Sequence, residues 1–468
     1  MHTRYDSMIR SCAAAAAASA VLLAAACDTS VTNPGLIPDD ALDKPEAWPA
    51  IVVGARRALS DAIGSSGATG GQLLYWGAAV SYEINPAGST GSYGIPTDVQ
   101  VGILNDATSN ADWVSSNLAR YVPEAAWHRF QRVMPDTLFR KSTLVGQVYL
   151  YAGFANRLLG ENFCQSVIPV EVPDPSHYVL SPGSLGSHTL YFLRADTAFT
   201  NALAVFAASG KTDTQTSNFV RAARAGRASV RADLATYGLA NWSDAVADAA
   251  LVPDTSKFQV PYSGASPDQY NYLYWARADQ SFRAHTEWGT FYEGYYRTTR
   301  DPRVKWDSTV KNGDAAVAKF GGSVPFWPEA KYTATSVPVR LSSGWEMRLI
   351  EAEAALVGGD VTTAVNKMNL RRSNLALPLY STTITLDSAW TLLKLERALE
   401  LWLEARRLGD LRRWLASNVP GGYVDGLYRA SRTDTLHATP IETMTAPVAR
   451  ALCFAVGRSE RETNPNVP

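Results

Sequence analysis

Apolar residues recur through much of this chain at intervals of three and four, the period of an α-helix packed on one face. A helix is expected around Trp48–Ile63, and the chain turns helical again over residues 111–160. There Tyr149, Ala152, Ala155 and Leu159 follow spacings of 3, 3 and 4, and Gly160 is the expected stop. Residues 190–209 predict an Ala/Phe helix. Residues 218–250 read as a helix pair: Phe219 to Tyr237, a break at Gly238, then Trp242 to Ala250, closed by Pro253. Ala222, Ala225, Ala228 and Ala232 on the first member, with Ala245 and Ala249 on the second, allow close approach. Residues 345–377 repeat the plan, with Trp345 to Val357, a Gly358-Gly359-Asp360 turn and Val361 to Arg372. Met347, Ile350, Ala354 and Val357 form the apolar face of its first helix. Residues 386–415 predict one last helix, with a stripe of Leu392, Leu395, Leu399 and Trp402 opposite a densely charged face. Its pairs Glu404–Arg407 and Asp410–Arg413 lie at i,i+3, a spacing common on solvated helix faces. The plan is that of tetratricopeptide-like units, without a strict period of about 34 residues.

Two stretches break this pattern. Residues 65–110 and 254–344 are punctuated by Gly and Pro and carry many of the chain's 13 Trp and 21 Tyr. Loops on a helical scaffold are where binding residues concentrate. Aromatic rings stack on the C–H faces of sugars, and Tyr and Trp add a polar tip. The candidate ligand contacts are Trp76 and Trp275 first, then Tyr82, Tyr93, Tyr274 and Tyr296. Tyr75 and Tyr270 belong to the same clusters, whereas Trp288, Tyr292 and Tyr295 share one helix face and are expected to pack.

The N-terminus sets the compartment. Arg4 and Arg10 precede an uncharged run, residues 11–26, too short for the ~20 residues of a membrane span. This is the form of a secretory signal, and the run stops at Cys27 after Leu22-Leu23-Ala24-Ala25-Ala26, which resembles a bacterial lipobox. Residues 1–26 are then a signal peptide, Cys27 the lipidated residue, 27–38 a Pro/Gly-containing tether, and 39–468 one folded domain. Only Cys164 and Cys453 remain, and in an oxidising compartment they are candidates for a disulfide, the alternative being two separate buried thiols.

Charge adds mainly exclusions. With 43 basic and 44 acidic residues there is no electrostatic case for nucleic acid. The six His are scattered, with no metal-ligand spacing, phosphate loop or nucleophile elbow, so no metal, cofactor or catalytic residue is expected. Carboxylates are abundant, but abundance alone does not argue for a hydrolase.

The segment Leu395 to Trp414, LERALELWLEARRLGDLRRW, resembles the late helix of the SusD/RagB family. The family pattern is Glu-Arg-x-x-Glu-Leu-x-x-Glu-Gly-x-Arg-x-x-Asp-Leu-x-Arg-Trp. Glu396, Arg397, Glu400, Leu401, Glu404, Arg407, Asp410, Leu411, Arg413 and Trp414 match it, and Ala405 stands where Gly is usual. Leu349–Arg372 (ending in Asn369 and Arg372), Asp301-Pro302-Arg303, Leu158–Phe163 and the closing Ser459-Glu460-Arg461 and Asn464-Pro465-Asn466 also look like family segments. The resemblance implies an all-α right-handed superhelix of four tetratricopeptide-like pairs bearing a loop-rich, aromatic-rich insert. It implies a lipoprotein anchored in outer-membrane lipid, facing the cell exterior, that sits on a TonB-dependent (SusC-like) transporter and hands it a glycan or peptide. The motif residues themselves are structural in the family. Cys27-Asp28-Thr29-Ser30 lacks the acidic run that some relatives use for surface export. A membrane-anchored scaffold that binds only protein is the competing expectation.

Overall fold

The structure is a computed structural model that describes residues 38–65, 71–88, 94–172, 179–278, 282–317, 320–423, 433–434, 439–440 and 450–468. Cys27 with its leader, and Tyr93, lie outside the described residues. The chain divides into two compact units, Met1–Ala47 and Trp48–Pro468. In the first, Asp39–Asp43 and Pro45–Ala47 are short 3₁₀ turns.

The second unit is built from helices α1 (Trp48–Gly64), α2 (Leu73–Val80), α3 (Asn110–Val133), α4 (Thr143–Asn162), α5 (Thr189–Ser209), α6 (Thr214–Thr236) and α7 (Trp242–Ala249). After these come α8 (Tyr272–Ala278), α9 (Phe291–Thr299), α10 (Gly344–Val357), α11 (Val361–Asn374), α12 (Leu386–Glu400) and α13 (Arg407–Ala416). Contacts run α1 to α3 to α4 to α5 to α6 to α7 to α10, and α10 carries both α11 and α12. This is an all-α helical repeat, as expected. Several starts are written locally: Asp213, Ser343, Asp360 and Thr385 each accept the N–H three residues on, capping α6, α10, α11 and α12.

The α4–α5 pair shows how composition becomes packing. Gly146, Gly153 and Gly160 recur every seven residues on α4, and Phe206, Phe199 and Phe192 recur every seven on α5. A Cβ on each glycine would stand 2.5, 2.6 and 2.5 Å from its phenylalanine ring. The absent side chains thus form the slots that the rings fill. Gly160 is part of this seam and does not end the helix, which continues to Asn162. The Ala faces of α6 and α7 meet as the spacing suggested, in a cluster with Met347 and Ile350 of α10. Val357, expected on that face, is 54% exposed.

The insert is closed at its base by an antiparallel ladder in which Lys257 pairs with Ser343 and Val260 with Val339. A second short ladder, Asn85–Pro86 with His285–Thr286, ties the insert to the 65–110 region, which itself holds the buried helix α2. The tail returns from the other side. Phe454 donates its N–H to Asn162, Cys164 donates to Phe454, and a disulfide joins Cys164 to Cys453.

The expected single helix over 386–415 is two. Leu403 and Ala405, at φ 55° and 59°, turn the chain between α12 and α13 through the left-handed region, which costs a non-glycine residue about 1–2 kcal/mol. Ala405, the departure from the family pattern, stands at one of these two positions. The helix end leaves backbone groups that other segments satisfy. Glu83 accepts from Leu403 N at 2.8 Å, Tyr332 donates to Leu403 O at 2.7 Å, and Asn162 donates to Ala405 O at 3.1 Å. Lys331 and Arg340 donate to the carbonyls of Trp402 and Glu400. The apolar stripe is shifted too: Leu393, not Leu392, is fully buried.

The charged face of this segment is not solvated. Glu396, Arg397, Glu400, Glu404, Arg406, Arg407, Asp410 and Arg413 are all at most 5% exposed. They form a buried hub that joins the repeats to the insert. Arg303 of the insert pairs with Glu396 at 2.6 Å, and Arg340 pairs with Glu400 and Glu404 at 3.0 and 2.9 Å. Arg406 pairs with Glu161 of α4 and Glu346 of α10 at 3.0 and 2.8 Å. Arg397 clasps Asp410 at 2.8 Å, and Arg413 clasps Glu353 of α10 at 2.6 and 2.8 Å. Burial raises the cost of each charge, but for Glu400 and Asp410 the facing guanidinia win and hold both carboxyls below their ordinary range.

Glu83 is the opposite case. Burial outweighs its hydrogen bond from Leu403 and the nearby Arg407, and pushes its carboxyl up to about 7. A folded value above the unfolded one contributes stability at low pH that is lost as pH rises through about 7. Glu83→Gln keeps an acceptor for Leu403 and removes that loss. We expect its melting temperature to exceed the parent's at pH 8, by the equivalent of about 3 kcal/mol, and to match it at about pH 4, below the ordinary carboxylate value. A pH-independent difference would contradict this.

Candidate ligand-binding surface

The aromatic candidates fall into separate clusters, set by the elements that carry them. Helices α2 and α8 pack together through buried rings: Tyr75 meets Tyr272 edge-to-face at 5.4 Å and His285 at 5.3 Å. Trp76 and Trp275 sit on these two neighbouring helices, each half-buried. The indole N–H of Trp76 is buried without a hydrogen-bond partner. Trp275 lies 4.9 Å from Tyr270 and 5.6 Å from Phe282, so three half-buried rings stand together at the start and exit of α8. Asn271 fixes this start, donating its backbone N–H to Thr335 and its amide to Val337. Tyr274 packs half-buried against the main core and donates its backbone N–H to Asn271 Oδ1 at 3.3 Å.

Tyr296 belongs to a different cluster on α9. Its ring is 6.1 Å from Trp306, which stacks on Trp327 at 5.2 Å and 14°. The Arg297 guanidinium lies 5.3 Å from both indoles and is held by Glu293 at 2.8 Å. Arg300 stands 5.4 Å from the Tyr296 ring. Tyr82 is elsewhere again. At φ 60° it presents its ring to Arg450, whose guanidinium lies 3.9 Å above it and also donates to the carbonyls of Val80 and Ala79. That contact anchors the returning tail. The expected packing of Trp288 and Tyr292 is seen, both being buried, while Tyr295 is half-buried.

Sequence reasoning missed Arg297 as a member of this surface, and it left Trp306 and Trp327 among the insert aromatics without pairing them. No periodicity signals a stack between residues on separate loops. Among the described residues there is no group of three His, Cys, Asp or Glu that could hold a metal ion, and no helix is long and apolar enough to cross a membrane.

Residues 297–450 match the SusD family. That segment contains Arg303, Arg340 and the charged residues from Glu396 to Arg413, while their partner Glu161 lies outside it. No curated protein matches the sequence. Among solved structures, a SusD-like carbohydrate binding protein from Bacteroides vulgatus shares 13% identity at a TM-score of 0.64, covering 90% of this chain and 97% of that one. A SusD homolog from Bacteroides thetaiotaomicron shares 13% identity at a TM-score of 0.62, covering 91% and 96%. A laminarin binding SusD-like protein shares 14% identity at a TM-score of 0.61, covering 91% and 98%. The family match is thus confined to residues 297–450, while the fold over about nine-tenths of the chain is that of SusD-like structures.

Proposed function

We propose that this chain is a non-catalytic lipoprotein that captures an oligomeric nutrient, a glycan, and passes it to a partner TonB-dependent outer-membrane transporter. The observation that carries the ligand half is the Tyr270–Trp275–Phe282 cluster: large apolar ring faces, half-buried, on the loop-rich part of the fold. Pyranose rings pair C–H faces with such rings and hydroxyls with surrounding polar groups. Two structures of the same fold are described as binding carbohydrate, one of them laminarin, which supports the same ligand class here. Anchoring through Cys27 in the outer membrane, on the exterior side, and hand-off to the barrel belong to this reading through the family resemblance. Trp275→Ala tests the ligand half. On an array of neutral oligosaccharides the folded variant is expected to lose about tenfold in affinity, equivalent to ~1.4 kcal/mol. Unchanged affinity removes the cluster from the site.

A further inference from the structure

A cleft on the helical scaffold, remote in sequence from the aromatic insert, has the chemistry of a ligand site. It opens between α3 and α5 over α4, with a volume of about 330 Å³. This is the size of a small-ligand pocket, which runs from about 300 to 1,000 Å³. Its lining includes Glu124 and Trp127 of α3, Tyr149 and Asn156 of α4, and Arg194 and Asn201 of α5. We propose that it is a second saccharide site, taking a neutral pyranose residue. This goes beyond the loop-face reading and does not depend on it.

One wall is aromatic. Trp127 and Tyr149 lie 5.1 Å apart at 32°, both half-buried. The floor is polar and built. Glu124 is fully buried and accepts from Arg120 at 2.5 Å, Arg194 at 2.9 Å and the Asn156 amide at 3.4 Å. The same amide nitrogen donates to the Ala152 carbonyl at 3.0 Å. With both neighbours being acceptors, the nitrogen is committed to them and Oδ1 is turned the other way. Asn156 is 1% exposed, and its Oδ1 is buried with no hydrogen-bond donor. A buried acceptor in that state is unfavourable, and a ligand that donates to it recovers the cost.

The charges say what kind of donor. The Glu124 carboxylate is already shared by two guanidinia, so it offers no unmatched charge to an ammonium group. The donor is therefore neutral, and a hydroxyl suits both Oδ1 of Asn156 and the side-chain amide of Asn201. A ring that offers hydroxyls on its edge and C–H groups on its face fits the polar floor and the Trp127–Tyr149 wall together. A pyranose has that form.

The test is saturation-transfer NMR titration of the mature protein with methyl glucopyranoside, methyl mannopyranoside and methyl galactopyranoside as probes. Thr197 lines the cleft and is exposed, so Thr197→Trp plugs it without entering the core. The proposal expects at least one probe to bind the parent. Trp127→Ala and Asn156→Leu should weaken that binding tenfold or more, and Thr197→Trp should abolish it. Neutral oligosaccharide binding dependent on Trp275 should survive the plug. Two results overturn the second site. One is parent-like probe binding in the plugged and Asn156→Leu proteins, which leaves the loop-face reading intact. The other is the absence of binding of all three probes to the parent. Probe binding lost in Thr197→Trp, with oligosaccharide affinity unaltered by Trp275→Ala, upholds the cleft and overturns the loop face.

Discussion

Arg413→Ala should cost about 3–5 kcal/mol of folding stability, among the largest effects of any single change in this chain. Arg413 is 2% exposed and reaches Glu353 at 2.6 and 2.8 Å, Asp410 at 3.0 Å and Asp233 at 3.2 Å. Truncation leaves those carboxylates buried without their main counter-charge, and Trp414 loses the guanidinium 4.8 Å from its ring. The cost should depend on pH. Burial raises the Asp410 carboxyl, but Arg397 and Arg413 outweigh it and hold it below the usual range. A depressed folded value contributes stability above the unfolded value that is lost as pH falls through the folded one. The penalty is thus full at pH 7 and shrinks in acid. Equilibrium urea unfolding of both proteins at pH 7 and at pH 3, below the ordinary Asp value of about 3.9, measures it. A loss below about 1 kcal/mol at pH 7 would mean that these pairs behave as exposed ones do.

Removing the disulfide should cost about 2–5 kcal/mol. Cys164 and Cys453 are 289 residues apart in sequence, so the crosslink closes most of the folded unit into a loop and strongly restricts the unfolded chain. It also pins the tail, which bonds to the end of α4 through Phe454 and to the 79–102 region through Arg450 and Ala451. Reductant should lower the melting temperature of the parent and leave a Cys164→Ser/Cys453→Ser double variant unchanged at the lower value. Equal melting temperatures with and without reductant in the parent would contradict this.

Much of the scaffold was legible because its signals are local. Gly turns and small-residue faces marked α7, α10 and α11 to within about two residues and α6 to within about five. The buried hub was not. An i,i+3 pair such as Asp410–Arg413 looks the same on a solvated helix as inside a protein, and what decides is Glu353, 60 residues upstream. The turn at 401–406 was missed for a similar reason. The run Leu399–Trp402 continues a helical pattern, while the groups that satisfy the broken backbone come from Glu83, Asn162, Lys331 and Tyr332. The aromatic candidates were recognisable as a class, not as a site. Trp76, Tyr274 and Trp275 share two neighbouring helices, Tyr296 joins a different stack, and Tyr82 meets Arg450, 368 residues on. The Trp127–Tyr149 cleft drew no notice, because its two rings sit on separate helices inside ordinary amphipathic patterns.

The central claim is the proposed capture for uptake, and purification of the tagged full-length protein in mild detergent from membranes of its native cells tests it most directly. Mass spectrometry of the co-purified proteins should recover a TonB-dependent barrel in near-equal amount. Recovery of the tagged protein alone, or with soluble periplasmic proteins, would contradict the hand-off and point to the scaffold reading.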